Sequence, residues 1–173
     1  MTTDQAFYLL KHFTEIDSAA KSHFLAHGFK EEAISQQLQI IGSKFFNSFC
    51  KSPFHLEAQL EKVQPLEKII QSNGRIAQVY QFGHAIGTEQ VIEKAKINLE
   101  QIIQLERNGK LIEAVQLQEL PNTNQLVVVK STEDQWITAF PGSYAPAFPS
   151  DWMTTKEREE AHSYWENHVF IKQ

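Results

Sequence analysis

One cysteine, three arginines and four aspartates are all that this 173-residue chain carries of three residue types that often mark function. With Cys50 alone, no internal disulfide can form. Its place after the apolar segment Phe45–Phe49 reads as a buried, inert thiol and fits a reducing, cytoplasmic setting. The aspartates are Asp4, Asp17, Asp134 and Asp151, too few for a two-metal nuclease or a kinase, which need several positioned carboxylates. Arginine is confined to Arg75, Arg107 and Arg158, and the net charge is −5 with a pI near 5.8. That balance argues against broad, non-specific nucleic-acid binding while leaving room for a local basic cleft. No apolar run approaches the roughly 20 residues of a membrane span, and MTTDQAFYLLKHF has neither a basic n-region nor an apolar h-region. Gly-x-Ser-x-Gly and Cys-x-x-Cys motifs are absent, and no glycine spacing matches a Walker or Rossmann loop.

What is present is ordinary globular composition, 42% hydrophobic and 21% charged, with 12 phenylalanines to fill a core. The length suits one domain over 1–173, divided into a helical part (1–72), a sheet-forming part (73–149) and a C-terminal helix (150–173). Phe7, Leu10, Phe13 and Ile16 recur at helical spacing. Asp17-Ser18 caps a second helix that ends at Gly28, and a third is expected from Lys30 to about Phe49. Ser52-Pro53 opens a short fourth helix. Asn73-Gly74 then marks a turn, and Arg75–Phe82 alternates as a strand does. Thr88 is expected to cap a long helix with Ile92, Ala95, Leu99, Ile102 and Ile103 on one face. Lys110–Leu120 reads as a strand. Leu126–Val129 and Trp136–Phe140, split by a polar turn, read as an antiparallel hairpin running into a Pro-rich aromatic loop. Thr154-Thr155-Lys156-Glu157 is a capping-box pattern, opening a helix expected to reach about Val169. The class is α+β: N-terminal helices, a mostly antiparallel sheet with one inserted long helix, and a closing helix.

Several constellations admit both chemical and structural readings. His23 and His27 lie four apart on one helix face, as metal ligands do, but the same spacing suits a helix-end pair or an acid and base. His84 sits between Gly83 and a Gly87-Thr88 helix start, either as a ligand contact or as a structural residue. Lys130 and Thr132 share one face of the hairpin, with Ser131 on the other and Thr138 on the partner strand; they form an anion-contacting group or a solvated strand end. Tyr144, Phe148 and Trp152 form a stacking platform or a lid on the core, with Ser143 beside them. Glu157–Glu160 reads as a solvated helix face.

The stretches HFLAHG (His23–Gly28) and VVVKSTEDQWITAFPG (Val127–Gly142) resemble motifs of the barnase/EndoU/colicin/RelE-type superfamily of small RNases, in particular its toxin and phage-associated branches. The resemblance covers about Lys21–Pro149. It implies metal-independent RNA cleavage, in which the ribose 2′-OH attacks the adjacent phosphate and leaves a 2′,3′-cyclic phosphate. It makes His27 or His23 the acid or base and places Lys130 and Thr138 on the scissile phosphate. His84 is added as a further catalytic candidate, and Thr132, Ser143 and Tyr144 as substrate contacts, from the residues themselves. No metal or cofactor is called for, and no membrane. The acidic, Arg-poor balance departs from the pattern and sustains an alternative: a non-catalytic cytoplasmic protein, an immunity or accessory protein, that binds a cognate protein partner.

Overall fold

The computed structural model describes all 173 residues and is α+β. The N-terminal part holds α1 (Thr3–Leu9), a 3-10 turn at Leu10–His12, α2 (Ser18–Ala26), α3 (Glu31–Leu38) and α4 (Pro53–Leu60). Side chains at the helix starts satisfy the free backbone N–H groups: Thr2 and Gln5 form a capping box, and Asp17 and Ser52 accept from Ala20 and His55. Then follow β1 (Glu67–Ile70), β2 (Ile76–Gln81), β3 (Gly87–Thr88), β4 (Val91–Glu93), β5 (Ile103–Arg107), β6 (Lys110–Gln116), β7 (Asn122–Thr123), β8 (Gln125–Lys130) and β9 (Trp136–Pro141). The chain closes with α5 (Thr155–Asn167) and β10 (His168–Lys172).

Two four-stranded sheets result, ordered β1-β2-β8-β9 and β4-β10-β6-β5, with β3 and β7 paired separately. Among these pairings only β10–β6 is parallel. In the first sheet, register puts Tyr80, Leu126, Val128 and Ala139 on one face, where they pack with Leu9, Phe13, Phe45 and Leu56 into the main core. Ala77, Val79, Val127, Thr138 and Phe140 occupy the opposite face. The second sheet has its own small core of Val115, Leu120, Val169 and Ile171.

Three expected elements fold differently. The long helix from Thr88 does not form; its residues make β4, two 3-10 turns and β5. Val91, Ile92, Ile97, Ile102 and Ile103 are stiff, β-branched residues that favour strands, and β4 finds a partner in β10. The third helix stops at Leu38 rather than Phe49, because the Lys44 ammonium turns back onto the Leu38 carbonyl at 3.0 Å and Phe45 bridges to Gly87. The last helix stops at Asn167, and Val169 and Ile171 continue as a strand, buried at period two. β1, inside the span expected to be helical, was not anticipated. No helix is long and apolar enough to cross a membrane.

Candidate active site

A cavity of about 480 Å³ opens between the two sheets. The first sheet contributes Thr138 and Phe140 from β9, and the second contributes Arg107 from the end of β5 and Phe170 from β10. Tyr164 and Trp165 of α5 form part of its wall, and the loop after β9 adds Ser143 and Phe148. Trp165 fastens that loop: its indole N–H donates to the Pro146 carbonyl at 3.1 Å, and its ring stacks on Phe148 at 4.6 Å.

His12 reaches the cavity from the end of the 3-10 turn. Its Nδ1 lies 3.0 Å from the Ser43 carbonyl oxygen and 3.1 Å from the Ser43 hydroxyl. A carbonyl only accepts, so Nδ1 carries the proton and Nε2 is left as the basic nitrogen, with no partner within the chain. Burial pushes the imidazole pKa down to about 4, against the Ser43 hydrogen bond that raises it, with Lys11 and Lys44 adding to the fall. His12 is therefore neutral at physiological pH.

The backbone holds this group in place. Phe45 N–H donates to the His12 carbonyl at 2.7 Å, and Thr88 N–H donates to the Lys44 carbonyl at 2.9 Å. One short segment, Ser43–Phe45, thus ties the His12 turn to the strand that precedes Glu89. The approach requires Gly87, since a Cβ there would overlap the Lys44 carbonyl oxygen.

Glu89 is the second titratable group of the cavity. Burial raises its carboxyl pKa, opposed by a hydrogen bond from the Ser143 backbone and by Lys96 and His168, while Glu93 adds to the rise. Gly142, at φ +133°, turns the chain beside it; a Cβ there would press on the Glu89 Cβ at 3.2 Å. His168 donates from Nδ1 to the Tyr164 carbonyl at 2.8 Å and stacks flat on the Tyr164 ring at 3.8 Å. Lys11, Lys96 and Arg107 line the cavity against the two carboxylates Glu89 and Glu93, so the cleft carries local positive charge in an acidic chain.

Of the residues singled out from sequence, the structure brings Thr138, Ser143 and Phe148 into this cavity, while Trp152, expected beside Phe148, lines a neighbouring groove. His84 lies next to it, in a shallow groove that shares Glu89 and Ser143. His23 and His27 are elsewhere, stacked on each other at 4.2 Å, with His23 against the Thr3 hydroxyl at 3.0 Å and His27 donating to the His23 carbonyl at 2.8 Å. Lys130 is held within the hairpin, 3.3 Å from Asp134 and over the Trp136 ring. Thr132 is in the hairpin turn against Gly74. Tyr144 faces a neighbouring groove and accepts from Gln71 at 3.3 Å. Nowhere do three His, Cys, Asp or Glu side chains converge as metal ligands. His12 and Glu89 were missed because neither belongs to a local motif; residues 12, 43, 89 and 138 meet only through the fold.

Protein-family models, curated proteins and solved structures offer no match to this chain.

Proposed function

We propose that the protein is a metal-independent endoribonuclease-like enzyme, a toxin-type domain acting in a reducing cytoplasm, with its RNA substrate held in the cleft between the sheets. The observation that carries this reading is the pairing, in one cavity, of a neutral imidazole with a free Nε2 and a carboxyl kept toward its protonated form. Transesterification needs a proton acceptor and a proton donor placed in one cleft. His12 Nε2 takes the proton of the ribose 2′-OH as the 2′ oxygen attacks phosphorus. Glu89 gives its proton to the departing 5′ oxygen. The products are a 2′,3′-cyclic phosphate and a 5′-OH. Thr138 and Ser143 offer hydroxyls to the phosphate oxygens, and Lys11, Lys96 and Arg107 oppose the charge that builds on the phosphorane. In this scheme His12 takes the role that the family resemblance gives to His23 or His27, and Thr138 keeps its own.

The test is incubation of the full chain with total RNA and with tRNA in EDTA, beside Thr138→Ala. Cleavage leaving 2′,3′-cyclic phosphate ends, strongly reduced in the variant, is the expected result. RNA left intact at high protein concentration would overturn the reading.

A further inference from the structure

β1 is the outer strand of the first sheet, hydrogen-bonded on its β2 side alone. One row of its backbone N–H and C=O groups is thus open to a further strand. Ile70 on that edge is 79% exposed, Leu66 just before it 64%, and Trp152 nearby 42%. Between Ile70 and Trp152 runs a groove of about 350 Å³, where Ile69, Tyr144 and the buried Met153 supply apolar surface. Three carboxylates line it, Glu67, Glu157 and Glu160, and no Lys, Arg or His does.

The walls are already fastened. Ser72 donates through its hydroxyl to the Trp152 carbonyl and through its N–H to Glu157, each at 3.3 Å. Gln71 donates to the Tyr144 hydroxyl at the same distance. A ligand entering here meets a preorganised surface and orders little of it. The carboxylates select its charge: they repel RNA and acidic segments, and a second copy of this chain brings the same acidic groove to the contact.

We infer that this groove docks an extended, basic segment of a partner protein. The segment adds to the β1 edge, seats an apolar side chain between Ile70 and Trp152, and points Lys or Arg side chains at Glu67, Glu157 and Glu160. The groove adjoins the acid–base cleft, sharing Pro146, Ala147 and Tyr164 with its wall. Ile70, Trp152 and the three carboxylates lie outside that cleft, and docking does not depend on cleavage there.

The experiment is selection of a phage-displayed library of random linear peptides on the full chain, followed by fluorescence anisotropy of the enriched peptides made with a fluorescein label. The expected peptides alternate Lys or Arg with apolar residues. Their binding weakens with added salt and falls at least about tenfold in Ile70→Lys and in Glu160→Lys. Both substitutions lie on the exposed surface, and far-UV circular dichroism checks the fold; Trp152→Ala serves as a third variant should either fail to fold. RNA cleavage, where present, stays unchanged in all three, which separates this site from the catalytic one. No enrichment, enrichment of acidic or uncharged peptides, or equal binding by the variants would overturn the inference.

Discussion

His12 Nδ1 is held between the carbonyl oxygen and the hydroxyl of Ser43, at 3.0 and 3.1 Å. That contact sets the tautomer, and burial sets the charge. An unfolded histidine binds its proton near pH 6.5, whereas in the fold desolvation pushes this down to about 4. Between those values the unfolded chain binds more protons, so stability rises with pH. The contribution of His12 is complete above about pH 6.5 and is lost as pH falls through about 4. Its size is on the order of 3 kcal/mol. Glu89 acts in the opposite sense: with its folded pKa raised, its contribution is present at low pH and fades as the carboxyl ionises. Urea unfolding of the wild type and His12→Gln across this window should show the wild type losing roughly 3 kcal/mol more than the variant on acidification.

Lys44 anchors the same turn. Its ammonium donates to the carbonyls of Lys11 at 2.7 Å, Phe13 at 3.2 Å and Leu38 at 3.0 Å, and so brackets His12 on both sides. Lys44→Met leaves three half-buried carbonyls without their donor. Chemical denaturation should register a loss of about 3 kcal/mol, and any RNA cleavage should fall with it as the turn loosens.

The helix starts and the β8–β9 hairpin were legible in the sequence because their signals are local: Asp17, Ser52-Pro53, Thr154 with Glu157, and two β-rich runs around Glu133–Gln135. The stretch after Thr88 was not legible, because Ile92, Ala95, Leu99 and Ile102 fit a helical face as well as short strands. Its outcome turned on β10, some 75 residues further along. The candidate site was legible at Thr138, Ser143 and Phe148. His12, Ser43 and Glu89 share no spacing, and only backbone bonds from Ser43–Phe45 to the His12 turn and to β3 bring them together.

The start of α5 offers a local check on how the cleft wall is held. Thr154 accepts from Glu157 N–H, and the Glu157 carboxylate accepts from Thr154 N–H, both at 3.2 Å. Thr154→Ala removes half of that box. A destabilisation of about 1 kcal/mol is expected in urea unfolding, since α5 carries Tyr164 and Trp165 into the cleft.

Cys50 is fully buried, and desolvation pushes its thiol pKa up to about 12. In the native protein it should not react with a disulfide reagent such as dithionitrobenzoate over minutes, and one thiol should titrate promptly once urea unfolds the chain. Rapid reaction of the native protein would contradict this placement.

The most direct measurement is the rate at which wild type, His12→Gln and His27→Ala cleave one labelled RNA oligonucleotide in EDTA. The expected result is a fall of about 10²–10⁴-fold in His12→Gln, with His27→Ala close to wild type. An uncut oligonucleotide with the wild type, or equal rates for wild type and His12→Gln, would contradict the assignment of the cleft as an acid–base site.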